Sequence, residues 1–447
     1  MQEKHLFLKN TLIISIGNFL AKIIGAFYRI PLTNFLGGVG IGLYQMVFPV
    51  YALLLDFSMA VPTALSKNLV QIDDEKTKQK YLSSSFRLLF FVGLFGTHFL
   101  ALFSKQISTQ QGDKNAYIGY IFLAPSVLVV SLISCFRGFF QSEKNMYPTA
   151  LSQIIEQVVK LIFGLILVNL FLGSIKIQVG VSTLAVTISE VITLIYLALF
   201  YKIKIKKPLF TKIEKDERKI LTKDLFKTVL PIILIGISFP LSHLIDSFLI
   251  VNLLKSYRED ATLLYGLFSG SAHSIINMPV SVCYGVSVAL IPIIAKNNGK
   301  QRERGITNSI LLTLLLAFPC FLGVFFFAPT IVNILFSRLD YFSKATLIGL
   351  LKTMSPTIIL LSLTQTTNSI LISINKPYRS LTNMLTAITI KIPLTVILLF
   401  NQNINIYAGV IASICAFLVA TFLNLLYICI KFNESRELNG YKVYKIR

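Results

Sequence analysis

Polar and charged side chains recur at helical spacing inside long apolar stretches of this chain. The first stretch carries Asn18, Lys22 and Arg29, which share one helix face because they are four and seven residues apart. A charge at the centre of a bilayer costs about 2.5–3.5 kcal/mol on insertion scales, so it usually marks a pathway or a ligand site. Lysine and arginine are the side chains that bind phosphate oxygens. The stripe therefore predicts an anion-binding cavity inside a membrane.

A second polar stripe lies in the fifth apolar stretch, where Glu156 and Lys160 are spaced i, i+4 with the acid first. This order favours an intrahelical ion pair, so the two residues either neutralise each other or line the same cavity. Gln45, in the second stretch, adds an amide that can contact sugar or phosphate. We predict that the substrate site is formed by Arg29, Lys22, Asn18, Gln45, Glu156 and Lys160.

The composition is that of an integral membrane protein. Of 447 residues, 54% are hydrophobic and 14% are charged, against about 25% charged in soluble domains. The net charge of +22 is explained by basic cytoplasmic loops, and we expect no nucleic-acid partner. The five cysteines lie in apolar segments without metal-ligand spacing, so neither a metal site nor a disulfide framework is expected.

Hydropathy predicts an all-α integral membrane fold with twelve transmembrane helices in two pseudo-symmetric six-helix bundles. Predicted inside segments carry 28 Lys and Arg and outside loops carry 7, which places both termini in the cytoplasm. The glycine-rich stretch at residues 37–42 is expected to form a flexible turn between the first two helices. Pro356 is expected to kink the tenth helix. The predicted helices span residues 10–31, 41–64, 82–104, 115–136, 147–172, 177–200, 225–251, 263–294, 308–336, 345–373, 381–400 and 405–430.

The longest loop falls at the midpoint and divides the chain. We expect an N-terminal six-helix bundle at 1–200, a basic cytoplasmic linker at 201–224, a C-terminal bundle at 225–431 and a basic cytoplasmic tail at 432–447. Transporters are often built from two such repeats, with the substrate between them.

No catalytic motif is found, and the chain is not expected to be an enzyme. The four histidines lack zinc-ligand spacing and there is no P-loop. An integral-membrane glycosyltransferase or polymerase is a less favoured alternative, because the loops are short and lack motifs.

Four segments around the first two predicted helices resemble the stage V sporulation protein B group. This group belongs to the multidrug/oligosaccharidyl-lipid/polysaccharide (MOP) exporter superfamily, together with MurJ-type lipid II flippases. The segments are GAFYRIP at 25–31, LG at 36–37, GLYQM at 42–46 and PTALSK at 62–67.

The resemblance implies a MATE/MurJ-like fold that works by alternating access in the bacterial plasma membrane. We expect the protein to act as a monomer among membrane lipids. The implied cargo is an undecaprenyl-pyrophosphate-linked sugar precursor, lipid II or a related lipid-linked oligosaccharide, moved from the inner to the outer leaflet for wall synthesis. Arg29 matches the family's cavity arginine. Some relatives place sodium on a seventh-helix acid, so Asp246, with Asn383 on the eleventh helix, is the candidate site for Na⁺ or H⁺ coupling. No other cofactor is expected. The alternative is a MATE-type cation-coupled multidrug antiporter.

Overall fold

The computed structural model describes residues 2–171, 173–296 and 299–444, and within them every regular element is a helix. This confirms the predicted all-α fold. Two short segments, a 3₁₀ turn at Lys114–Ala116 and a π-helical segment at Gly266–Ala272, connect longer helices. The helices are α1 (Gln2–Val70), α2 (Glu75–Gln110), α3 (Tyr117–Ser142), α4 (Tyr147–Leu170), α5 (Ile175–Lys204), α6 (Lys215–Gly236), α7 (Ser238–Lys255), α8 (Ala261–Tyr265), α9 (His273–Lys296), α10 (Gly299–Leu335), α11 (Tyr341–Met354), α12 (Thr357–Ser373), α13 (Pro377–Phe400) and α14 (Tyr407–Tyr444).

The lengths and hydropathies of these helices are those of membrane spans. Among the described residues, eight helices are long and apolar enough to cross a bilayer, and ten if each of two bent pairs counts as one span. Large apolar side chains face outward on them, as at Phe95 (74% exposed) and Leu315 (69% exposed). Outward-facing Phe and Leu suit contact with lipid. The chain is a multi-pass membrane protein, while the count of twelve spans and the cytoplasmic termini stay predictions.

Helix α1 contains the first two predicted spans and turns back on itself at Gly37. Gly17 packs against Ala150 just after the loop between α3 and α4, and Leu65 packs against Gly138 just before it. A straight helix would separate residues 17 and 65 by about 70 Å at 1.5 Å per residue, so the chain must double back. Gly37 makes the break with φ 64° and ψ −178°, a conformation that glycine adopts readily.

The expectation of a flexible glycine turn over residues 37–42 is wrong beyond Gly37. The backbone is helical from Gly38 onward, and Gly38 and Gly42 are buried. A side chain at Gly38 would meet Leu263, and one at Gly42 would meet the backbone of Thr262. These two glycines therefore permit close helix packing.

Two of the predicted single spans are broken in the structure. The predicted helix at 225–251 consists of α6 and α7, bent by 58°, because Pro240 has no N–H to donate to the carbonyl of Gly236 four residues earlier. The bend of 48° between α11 and α12 lies at Pro356 and confirms the kink expected there.

The predicted loops 137–146 and 201–224 are shorter than expected, because helices extend into both. Helix α3 continues to Ser142, and α5 ends at Lys204 while α6 begins at Lys215. The segment that connects α5 and α6 is therefore residues 205–214, which we call the linker.

Contacts divide the chain into two compact units, Met1–Ser271 and Ala272–Arg447. In the first unit α3 packs on α1, α2 and α5, and α4 packs on α1 and α5. In the second unit α12 packs on α9, α10 and α14, and α13 packs on α14. The two predicted six-helix bundles, divided at 201–224, are defined by repetition along the sequence. Grouping by contacts does not test that repetition, so the bundles stay a prediction.

Candidate functional site

Helices α1 and α4 bring two predicted site residues together in the first unit. Lys160 lies within electrostatic range of Arg29, and its Nζ is 6.0 Å from the ring centroid of Tyr28, a cation–π distance. Tyr28 is almost fully buried and lies against Gly164 of α4, which has no side chain in the way. Tyr44, after the bend in α1, is within electrostatic range of Arg29. Two cations thus lie close together among aromatic rings.

The remaining polar residues of the first stripe lie toward the N-terminus of α1. Asn18 and Lys22 are exposed, whereas Arg29 is partly buried. Gly25, between Lys22 and Arg29, packs against the side chain of Gln157 on α4. The polar faces of α1 and α4 therefore meet at Gly25, and the cationic stripe continues to an exposed surface at Lys22 and Asn18.

Glu156 is held by an arginine from another helix, so its predicted pairing with Lys160 is wrong. The Nη2 of Arg137 on α3 lies 3.1 Å from Oε2 of Glu156, and Nε of Arg137 donates to Ser152 Oγ at 3.0 Å. Gln157 Nε2 donates to the other carboxylate oxygen of Glu156 at 3.1 Å. A planar guanidinium can form two such bonds in fixed directions, which the lysine ammonium cannot.

The ion pair of Glu156 with Arg137 determines where in this group the positive charge lies. Within the described part of the chain, no carboxylate lies within ion-pair distance of Lys160, although Glu156 and Glu190 are within electrostatic range. Arg29, Arg137 and Lys160 face two carboxylates, so the group is net positive. A site with excess positive charge in a low-dielectric setting attracts an anion.

Glu190 is the second carboxylate, and hydroxyl groups hold it. The Oη of Tyr51 donates to Glu190 Oε1 at 2.6 Å, and Ser126 Oγ donates to Oε2. Glu190 is 2% exposed and Tyr51 3%. The three residues come from α5, α1 and α3, so this network fixes the core of the first unit beside Lys160.

Gln45 is buried in the second half of α1, with its Nε2 unbonded to any described residue. Its side chain lies against Gly270, where a Cβ would come within 3.2 Å of Gln45 Cγ. A buried amide donor without a partner costs free energy, so Gln45 retains hydrogen-bonding capacity for a ligand or a water molecule.

The two candidate ion-coupling residues lie in different units. Asp246 is 5% exposed on α7 and lies within electrostatic range of Tyr265. Asn383 on α13 donates through Nδ2 to Asn424 Oδ1 at 2.9 Å. Each residue has a polar setting within its own unit, and their joint role in ion coupling stays a prediction.

Sequence reasoning missed a polar network in the second unit. Helix α12 carries the run SLTQTTNS at 362–369, a clear signal within an apolar helix. Asn424 of α14 donates to Thr367 Oγ1 at 3.0 Å and to Asn368 Oδ1 at 2.7 Å, and Thr364 bonds Thr421 at 2.8 Å. Hydrogen bonds of this kind connect helices inside membranes. Over the described residues no group of three or more His, Cys, Asp or Glu could hold a metal ion.

This chain is similar to known proteins in both sequence and structure. The chain is 26% identical over 418 residues to the lipid II flippase MurJ of Bacillus subtilis. That alignment covers 87% of this chain and 76% of the relative. It is 25% identical over 439 residues to the stage V sporulation protein B of the same organism. That alignment covers 94% of this chain and 83% of the relative. The inward-facing structure of a multidrug resistance MATE family transporter of the MOP superfamily superposes with a TM-score of 0.81 at 14% identity, covering 96% of this chain and 99% of the other.

The structural similarity is in the fold, because identity of 14% carries no detail of the site. It confirms the predicted MATE-like helical architecture. The family model for polysaccharide biosynthesis proteins matches residues 7–298, which run from the first turns of α1 to the end of α9 and contain the whole Arg29–Lys160 group. The match extends over more than half of the chain, and the chain therefore belongs to the polysaccharide biosynthesis protein family.

Proposed function

We propose that the protein is a flippase that moves a lipid-linked sugar diphosphate from the inner to the outer leaflet of a bacterial plasma membrane. The observation that carries this proposal is the juxtaposition of Arg29 and Lys160 while Arg137 holds Glu156. The group has more cations than carboxylates, and because Arg137 holds Glu156 the excess charge lies near Lys160, which suits the two phosphates of the carrier lipid. The similarity to a lipid II flippase and to a sporulation protein supports a cargo for wall synthesis.

The proposed binding mode assigns each polar side chain a part of the cargo. Arg29 binds a phosphate through its fork of N–H groups and Lys160 adds a point charge. Lys22 lies about 10 Å along α1 from Arg29 at 1.5 Å per residue, near enough for the second phosphate or the first sugar. Asn18 and Gln45 offer hydrogen bonds to sugar hydroxyls, and the polyprenyl tail stays in the lipid.

The transport cycle is proposed to be alternating access without catalysis of a chemical reaction. The protein acts as a monomer with both termini in the cytoplasm. Energy comes from the membrane potential or from coupling to Na⁺ or H⁺, for which Asp246 is the candidate carboxylate.

Substitution of the cationic stripe tests the proposal. Arg29→Ala and Lys22→Ala should each abolish flipping in a precursor-accessibility assay, while the protein still inserts in the membrane. Lys202→Ala, an exposed lysine at the end of α5, removes the same charge outside the site and should flip normally. Normal flipping in both stripe variants would exclude an anion cavity there. Rescue of a strain depleted of its lipid II flippase tests the identity of the cargo.

A cation-coupled multidrug antiporter is the second candidate, and the buried Asp246 on α7 favours it. An antiporter exchanges a cationic drug for a coupling ion, which needs a carboxylate that can be neutralised. Drug efflux that survives Arg29→Ala but fails with Asp246→Asn would favour the antiporter over the flippase.

A further inference from the structure

A pocket of about 630 Å³ lies in the first unit and shares no lining residue with the Arg29–Lys160 group. Its volume falls within the roughly 300–1,000 Å³ typical of small-molecule sites. Helices α2, α3, α5, α6 and the linker all contribute to its walls. The walls are mostly apolar and include five phenylalanines and two arginines: Phe86, Phe90, Phe91, Phe136, Phe210, Arg87 and Arg218.

Two arginines are among the residues that line this pocket. The uncharged part of α2 begins at Leu88 and continues beyond Phe95, which places Arg87 at the membrane boundary. Arg218 lies in the first turns of α6, next to the basic linker. In the described part of the structure, no carboxylate is within ion-pair distance of either guanidinium. Neither guanidinium is therefore neutralised by an ion pair within the described residues.

The linker forms one wall of the pocket and is anchored to α2. Lys207 Nζ lies 2.5 Å from Glu75, and Thr211 N donates to Ser83 Oγ at 3.3 Å. Arg87 Nη2 donates to the carbonyl of Thr211 at 3.3 Å. These contacts position the linker so that Phe210 meets Phe86 edge-on, with ring centroids 6.2 Å apart. One wall of the pocket is thus formed by a linker that specific contacts hold in place.

The outer side of the pocket is a surface that contacts lipid chains. Phe91 is 66% exposed, and Phe95, one turn further along α2, is exposed as well. In a bilayer such a face contacts acyl chains. A ligand that enters here therefore needs an apolar tail that lies along α2 and an anionic head at the membrane boundary.

We propose that this pocket binds one anionic phospholipid of the surrounding membrane. The phosphate lies between Arg87 and Arg218, and one acyl chain lies against Phe90, Phe91 and Phe210. The two charges select an anionic lipid over a zwitterionic one, and the aromatic wall holds the chain. The bound lipid joins the linker to α2 and α3. The site is independent of the proposed transport function, because it uses none of the cavity residues.

The absence of tryptophan from the whole chain makes the site directly testable. Phe91→Trp places a single fluorophore at the rim of the pocket, and Phe326→Trp places one on the exposed face of α10 (67% exposed at Phe326). Each full-length variant is reconstituted in phosphatidylcholine vesicles that contain a small fraction of brominated phosphatidylglycerol or brominated phosphatidylcholine. We expect the brominated anionic lipid to quench the tryptophan at 91 more strongly, and both lipids to quench the tryptophan at 326 equally.

Charge removal distinguishes a specific site from general attraction to a basic surface. Arg87→Gln and Arg218→Gln should each lower the preference at position 91 about five-fold, the factor equivalent to ~1 kcal/mol per basic residue. Lys219→Gln removes a neighbouring exposed charge that does not line the pocket, and it should leave the preference unchanged. If an arginine variant does not fold, the comparison of positions 91 and 326 remains decisive.

Three results would overturn the proposal. The first is equal quenching by the two lipids at position 91. The second is a loss with Lys219→Gln as large as that with Arg218→Gln, which would indicate surface electrostatics alone. The third is displacement of the brominated lipid by polyprenyl phosphate but not by unbrominated phosphatidylglycerol, which would make the pocket a site for an isoprenoid chain.

Discussion

Arg137 on α3 and Glu156 on α4 form an ion pair, with Nη2 and Oε2 3.1 Å apart and the arginine side chain 8% exposed. The pair joins two helices that follow each other in the chain, and Ser152 and Gln157 complete its hydrogen bonds. It fixes α4 to α3, and it leaves Lys160 within electrostatic range of Arg29. The location of the excess positive charge in the candidate site thus depends on which cation Glu156 binds.

Loss of one partner of this pair should destabilise the protein. Arg137→Gln leaves the Glu156 carboxylate without its cation, which costs about 3 kcal/mol for a pair this buried. Glu156→Gln should cost a similar amount, and the double variant should lose less than the sum, because neither charge then remains unpaired. Thermal unfolding of the purified variants measures these changes.

An exposed pair provides the control for that experiment. Lys80 and Glu217 are 2.8 Å apart with side chains 36% and 34% exposed, and exposed pairs contribute about 0–1 kcal/mol. Lys80→Gln should therefore barely shift the unfolding temperature. Additive losses in the Arg137/Glu156 double variant would show that the two charges do not stabilise each other.

The sequence predicted the all-helical membrane fold, because hydropathy and helical spacing depend on local composition. Lys22 and Arg29 stand out within one apolar run. The partner of Glu156 was missed, since Lys160 is four residues away whereas Arg137 seemed to lie in a loop. Which cation pairs with Glu156 depends on how α3 and α4 pack. Periodicity within one helix carries no information about that packing.

The lipid pocket was missed for a related reason. Its lining comes from four helices and from the linker, which appeared only as a run of basic residues. Nothing in that run indicates that Lys207 reaches Glu75 and brings Phe210 onto Phe86. The break between α6 and α7 was missed as well, because residues 225–251 form one apolar run in the sequence. Pro240 gives no measure of the 58° bend.

Lys160→Gln should weaken binding of the sugar diphosphate without unfolding the protein. The ammonium lies beside the ring of Tyr28 and has no ion-pair partner to leave uncompensated in the described structure. Hydrogen bonds to charged groups contribute about 1.5–3 kcal/mol, so the dissociation constant for a soluble lipid diphosphate analogue should rise roughly ten- to a hundred-fold. Lys176→Gln, an exposed lysine at the start of α5, should bind the analogue normally. Unchanged affinity for Lys160→Gln would remove this residue from the site.

Asp246→Asn should abolish the dependence of transport on an ion gradient. The amide has nearly the same shape as the carboxylate but cannot carry the charge that a sodium ion or a proton neutralises. Flipping in proteoliposomes with an imposed Na⁺ or H⁺ gradient gives the measurement. Asp260→Asn is the control, because that carboxylate lies in the loop after α7 and is held by Arg258 at 2.7 and 2.8 Å. Gradient-driven flipping that persists in Asp246→Asn would exclude this carboxylate from coupling.

The anchoring of the linker to α2 should weaken at low pH and at high salt. The Lys207 ammonium bonds Glu75 and holds the pKa of that carboxyl below its ordinary value of 4.5. A lowered pKa means that the stabilisation is complete above the ordinary pKa and is lost as the pH falls through the lower, folded-state value. Because the pair is exposed, salt screens it as well.

Hydrogen exchange of residues 205–214 measures this anchoring. At neutral pH, raising the salt concentration or introducing Glu75→Gln should speed exchange a few-fold, in line with a contribution below about 1 kcal/mol. Glu143→Gln, which removes a charge in the turn between α3 and α4, should leave exchange in the linker unchanged. Because Phe210 and the carbonyl of Thr211 lie in the same segment, Glu75→Gln should also lower the lipid preference measured at position 91. Linker exchange that is insensitive to both salt and Glu75→Gln would mean that the apolar contacts of Phe210 hold the segment without help from the ion pair.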